Sequence, residues 1–275
     1  YNSDWFQMSN TANFFELNHN CSGIPWNIRV NIQVLSGSNQ GYIFDGTGVV
    51  MVDGSEIGST TYGGVAYPET YGGLLFAYND KTVRLWAPSG TNGFIINVKG
   101  GWGQTNLQSE TTANVRVRTS IGAAPQYDSG WTNMKSQSSV SSDIQRDFFH
   151  PISNIQYAIV KVYYRPTSGP NQGYIFEAVG ASQADDDGGS YGGVIFGYTS
   201  TYVRVYLPNN TDTSNDNCAS GSTGISLTSG INVCTSCSTL GGYPCTHKDG
   251  YAVYVPSGFG GGKYTQRSHN VQVRV

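Results

Sequence analysis

The hexapeptide Asn39-Gln40-Gly41-Tyr42-Ile43-Phe44 recurs unchanged as Asn171-Gln172-Gly173-Tyr174-Ile175-Phe176. Self-similarity at this level restricts the fold more than any bulk property, because each copy of a repeat must solve the same burial problem in the same way. Other blocks follow in the same order. Tyr1-x-Ser3-x-Trp5-x-x-Met8 returns as Tyr127-x-Ser129-x-Trp131-x-x-Met134, and Tyr71 to Pro88 aligns with Tyr191 to Pro208, including Val83-Arg84 with Val203-Arg204. Gly93 to Val98 corresponds to Gly250 to Val255, and Asn114 to Arg118 corresponds to the closing segment from Asn270. The spacing gives the first copy 12 extra residues before Tyr71 and the second copy 37 extra residues before Gly250. The expected organisation is a first unit over 1–121, a linker over 122–126 (Gly-Ala-Ala-Pro-Gln), and a second unit over 127–275 with an insertion over 209–249.

Within a unit the pattern is that of strands. Ile28, Val30, Ile32 and Val34 alternate with Asn27, Arg29, Asn31 and Gln33, so one face of a strand is buried and the other is wet. Leu74 to Tyr78 and Thr82 to Trp86 flank the polar turn Asn79-Asp80-Lys81 as a hairpin, with Ser200 and Thr201 in the matching turn of the second unit. Tyr42 to Phe44, Phe94 to Val98 and Val115 to Arg118 complete a set of short strands separated by glycine-rich turns. Ser138 to Arg146 has room for a helical turn but lacks the apolar spacing of a buried helix. The expected fold is all-β: two tandem β-sandwich domains of one unit, the second carrying a Cys-rich insertion.

The openings Ser3-Asp4-Trp5 and Ser129-Gly130-Trp131 carry a family resemblance. Each unit resembles the H-type lectin-like sandwich of invertebrate and slime-mould lectins and extracellular repeat proteins, whose units open on a similar Tyr/Phe-x-Ser-Gly-Trp-like segment. The resemblance implies a glycan-binding alternative, without assigning sugar contacts to particular residues here.

Net charge is -3 with no basic run, which argues against a nucleic-acid partner, and no apolar stretch reaches the roughly 20 residues that span a bilayer. The chain opens at Tyr1 with neither Met nor a hydrophobic leader, and so reads as a mature or excised extracellular segment. Cys218, Cys234, Cys237 and Cys245 crowd into the polar insertion, which fits a secreted protein stapled by two disulfides of open connectivity. The same cysteines with His247 have the ligand types of a zinc site, a reading weaker in an oxidising compartment. Cys21 is left over, as a free thiol or an intermolecular bridge. Asn20 and Asn209 head glycosylation sequons.

Asp185-Asp186-Asp187 is a candidate Ca²⁺ ligand run, read more simply as a solvated turn because the first unit lacks it. Trp5, Trp86 and Trp131 read as structural, and Trp102, in a glycine loop, as a candidate binding aromatic. His19, His150, His247 and His269 show no recurrence between units and no catalytic motif, so no enzyme is expected.

These features point to a non-enzymatic extracellular structural protein that self-assembles into matrix or filament, with a soluble lectin as the alternative. The expected route uses the closing strands Val115 to Arg118 and Val271 to Val275 as weakly guarded sheet edges. The Val275 end would dock against a neighbour's Tyr1, and Cys21 would lock the contact.

Overall fold

The computed structural model describes residues 1–37, 39–46, 60–62, 65–67, 71–89, 93–98, 108–179, 191–208, 250–251, 253–255, 264–266 and 268–275. Over these residues the protein is all-β, built from several antiparallel sheets.

Seven main strands form the first half: β1 (Phe6–Ser9), β2 (Phe14–Asn18), β3 (Asn27–Val34), β4 (Ile43–Asp45), β5 (Leu75–Tyr78), β6 (Thr82–Trp86) and β7 (Thr112–Ser120). They lie in two sheets, β1-β7-β3-β4 and β2-β6-β5. The second half contributes β8 (Thr132–Lys135), β9 (Gln145–Phe149), β10 (Lys161–Pro166), β11 (Phe176–Glu177), β12 (Ile195–Tyr198), β13 (Tyr202–Tyr206) and β14 (Ser268–Arg274). Their order is β8-β14-β10-β11 and β9-β13-β12, strand for strand the order of the first half. Each half adds a two-residue parallel pair, Tyr71–Gly72 with Gly93–Phe94 and Tyr191–Gly192 with Gly250–Tyr251. The expected helical turn is the single turn Ser141–Ile144, which buries nothing and leads directly into β9.

The alternation read in β3 places Ile28, Val30, Ile32 and Val34 inward, where they meet Val115 and Val117 of β7 and Val83 and Leu85 of β6 in one buried cluster. In the second half Val162 and Tyr164, Val271 and Val273, and Val203 and Val205 do the same.

Two expectations are corrected by this topology. The closing strands β7 and β14 are central, hydrogen-bonded on both flanks, β7 between β1 and β3 and β14 between β8 and β10. The terminus is likewise occupied: Val275 exchanges both backbone hydrogen bonds with Tyr127, as Thr119 does with Tyr1. Sparse guarding charge suggested an open edge, but the opening segment of each half folds back to pair there. The histidines also recur. His19 and His150 follow β2 and β9, both are buried, and their Nε2 atoms lie 3.0 and 3.2 Å from the carbonyls of Asn79 and Thr199. Their Nδ1 atoms accept from the N–H groups of Cys21 and Ile152, each tying a turn to a hairpin. The shared signal is an acid three residues earlier, Glu16 and Asp147, in segments otherwise too divergent to align.

The halves pack on one another. Leu75, Ala77 and Trp86 of the first half belong to the buried cluster of the second, while Tyr163 and Ile175 of the second belong to that of the first.

Candidate functional site: two equivalent faces, one covered

The contact between the halves is made by the outer face of β2-β6-β5. In an antiparallel sheet alternate residues share a face, and the register puts Glu16, Arg84 and Ala77 side by side, with Phe14, Trp86 and Leu75 in the next row. All four residues of β5 are buried, which is what a strand covered on both faces requires. The cover is the hairpin between β10 and β11. Trp86 stacks on Phe176 with ring centroids 6.3 Å apart and planes inclined by 13°. The Arg84 guanidinium lies 4.0 Å over the Tyr174 ring and donates from Nη1 to the Pro170 carbonyl and Asn171 Oδ1, each at 2.9 Å. Its Nε donates to Glu16 at 3.0 Å, and the Tyr174 hydroxyl donates to the other Glu16 oxygen at 2.9 Å. Burial would raise the Glu16 carboxyl, but the hydrogen bonds from Tyr174 and Arg84, with the Arg84 charge, outweigh it and hold the group below its ordinary value. The backbones of Tyr78 and Ile175 exchange two hydrogen bonds, joining the free edges of β5 and β11.

The outer face of β9-β13-β12 has the same register and, among the described residues, no cover. Asp147, Arg204 and Gly197 stand where Glu16, Arg84 and Ala77 do; Tyr206 and Ile195 stand for Trp86 and Leu75. Arg204 forms a two-pronged pair with Asp147, 2.6 Å at both contacts, which lowers the Asp147 carboxyl. Phe149 and Tyr202 sit edge to face, 5.9 Å between centroids. Tyr202, Tyr206 and Phe149 are exposed on this face, Tyr206 to 40% where Trp86 is fully buried, and Tyr198, in the alternate register opposite Val203, is exposed at the end of β12.

The covering segment also has an uncovered twin. Tyr174 and Ile175 are 6% and 1% exposed; Tyr42 and Ile43, in the identical hexapeptide, are 65% and 53% exposed. Both copies nevertheless hold one turn. Gly41 and Gly173 take φ of 85° and 79°, a region open to glycine, and the N–H groups of Tyr42 and Tyr174 bond to the carbonyls of Asn39 and Asn171 at 3.0 Å.

A groove of about 800 Å³ runs beside the junction of the halves, past Trp26, Tyr163, Lys161 and the 122–126 segment. Arg274 caps the Trp26 ring at 3.9 Å, the Tyr163 hydroxyl donates to the Trp26 carbonyl, and Lys161 is held by Glu177 at 3.3 Å. Arg274 and Tyr163 thus join the halves along this groove, while Lys161 pairs within the second half.

Of the residues singled out in the sequence, Cys21 is a half-buried free thiol 3.0 Å from Thr119 Oγ1, and Asn20 is exposed beside it. Trp86 is core, and Trp5 and Trp131 are half-buried beneath Arg116 and Arg165 at 4.4 and 4.0 Å. Cys218, Cys234, Cys237, Cys245, His247, Asn209, Asp185, Asp186, Asp187 and Trp102 lie outside the described residues. Among the described residues no cluster of three or more His, Cys, Asp or Glu side chains could hold a metal ion, and no helix is long and apolar enough to cross a membrane.

The fold and this surface define an all-β protein with one covered and one uncovered face of matching plan. The chain matches no protein family, no curated protein and no solved structure. That corrects the labels drawn from the sequence: extracellular, secreted, lectin-like, tandem-repeat and disulfide-bonded glycoprotein give way to the coarser description, an all-β protein. The opening segment that carried the lectin resemblance has a structural use. Ser3 and Ser129 accept from the N–H groups of Val117 and Val273 at 2.9 Å, and Met8 and Met134 are buried, so the shared letters pin the chain to its closing strand.

Proposed function

We propose that this protein is a non-enzymatic structural protein that self-assembles, each half being a two-sheet β-sandwich of one plan. One observation carries the reading: Tyr174 and Ile175, buried at the junction of the halves, have solvent-exposed counterparts, Tyr42 and Ile43, on the same turn. An exposed tyrosine and isoleucine on a pre-formed turn are costly to leave in water, since burying each such side chain is worth about 1.5 to 3 kcal/mol. The turn is already in its bound shape, so little ordering entropy opposes docking. Exposed aromatics on β9-β13-β12 add a second apolar surface to the same molecule.

Sedimentation velocity over a rising concentration series, with electron microscopy of the concentrated sample, tests this. Growth of elongated oligomers with concentration is the expected result. A single monomeric species at every concentration would refute the proposal.

A further inference from the structure

We infer that the partner of the uncovered face is a second copy of this chain, docked head to tail, with the Asn39–Phe44 hairpin of one molecule seated on β9-β13-β12 of the next. The inference rests on the self-assembly reading and specifies its contact. Within the chain, the junction needs a hairpin carrying Asn-Gln-Gly-Tyr-Ile-Phe and a sheet face carrying an acid–arginine pair beside a large aromatic. Among the described residues, each molecule leaves one such hairpin open on its first half and one such face open on its second half.

The register predicts the contacts. Tyr42 lies over the Arg204 guanidinium, as Tyr174 lies over Arg84, and its hydroxyl reaches the Asp147 carboxylate. Phe44 meets Tyr206 as Phe176 meets Trp86. Ile43 pairs through its backbone with Tyr198, as Ile175 pairs with Tyr78. In both hairpins the residue after that tyrosine closes the turn, Asn79 N–H to Thr82 and Thr199 N–H to Tyr202. Tyr198 is therefore a non-hydrogen-bonded partner of Val203, and its own N–H and C=O point to the open edge. Its ring then meets Asp45 and Arg118, both exposed and both hydrogen-bonded to the buried Asn31 between them. Asn31, Asp45 and Arg118 occupy the places of Tyr163, which shares a buried cluster with Tyr78, and of Glu177 and Arg274, whose charges act on the buried Tyr78 phenol. Besides the exchanges of Trp86 for Tyr206, Leu75 for Ile195, Ala77 for Gly197 and Phe14 for Gln145, Asp147 is one methylene shorter than Glu16, and Tyr202 replaces Thr82, so an aromatic flank stands where Thr82 offers Tyr174 a hydroxyl at 2.7 Å.

Because hairpin and face are different patches, the contact is heterologous. Its repetition carries the relation between the two halves onward from chain to chain and yields a head-to-tail series, a filament where the rotation does not close and a ring where it does, instead of a two-fold pair.

The test uses the full chain in two variants, Tyr42→Glu to disable the hairpin and Arg204→Glu to disable the face, both at exposed positions. Each alone should sediment as a monomer with wild-type circular dichroism. An equimolar mixture should give a one-to-one dimer and nothing longer, because one variant keeps its face and the other its hairpin. Should either fail to fold, Ile43→Lys and Tyr206→Lys form a second pair with the same expectation. Wild-type oligomers that persist in both single variants, or a mixture that stays monomeric, would overturn this contact while leaving self-assembly intact; a wild type that never associates would overturn both.

Discussion

The guanidinium of Arg84 is stacked 4.0 Å over the ring of Tyr174, a cation–π contact that joins the two halves of the chain. Around it the Glu16 carboxylate accepts from Nε, and Asn171 and the Pro170 carbonyl accept from Nη1. A fork of donors that is both stacked and hydrogen-bonded is a use to which lysine is poorly suited.

The two copies of one tyrosine provide a matched comparison. Tyr174→Ala removes a buried ring and its hydroxyl contacts and should cost about 3 kcal/mol. Tyr42→Ala, at an exposed position, should change the stability of the monomer by less than about 0.5 kcal/mol. Urea unfolding of dilute protein checks both.

Trp86 should be the most expensive single aromatic on the covered face. Its ring contacts Phe176 and Phe14 and is fully buried between the halves, so Trp86→Ala should destabilise by about 3 to 5 kcal/mol. Tyr206→Ala, the corresponding change on the open face, should be nearly neutral in the same unfolding assay.

Acid should weaken the junction through Glu16. Its folded-state pKa is lowered from the ordinary 4.5, so its contribution is complete above that value and lost as pH falls through the lowered folded value. Glu16→Gln should therefore reduce Tm at neutral pH, and the difference from wild type should close once the pH has fallen below the lowered folded value, where both side chains are neutral. Thermal melts across pH read this directly.

Each buried histidine joins a turn to a neighbouring hairpin through both ring nitrogens. His19→Ala leaves the Asn79 carbonyl and the Cys21 N–H without those partners and should cost about 1 to 3 kcal/mol. His150→Ala should cost a similar amount through the Thr199 carbonyl and the Ile152 N–H. A large difference between the two, measured by denaturant unfolding, would separate the roles of the paired positions.

Much of the strand content was legible in the amino-acid order, because period-two alternation and turn residues act locally. The alternation over β3 gave the buried face, and Asn79-Asp80-Lys81 gave the turn between β5 and β6. Pairing across long separations was not legible: β7 reads as a lone closing segment, and only the tertiary fold shows it held between β1 and β3. His19 and His150 escaped notice for a related reason, since backbone carbonyls and N–H groups are their partners and a sequence does not mark those.

The candidate site divides the same way. The sequence by itself determined that Asn39–Phe44 and Asn171–Phe176 form the same glycine-dependent turn, because φ preferences and short-range hydrogen bonds are properties of the segment. It could not determine that one copy is buried and the other exposed. Burial depends on what lies opposite, and only the packing of β2-β6-β5 against the second half covers Tyr174 while leaving Tyr42 in water.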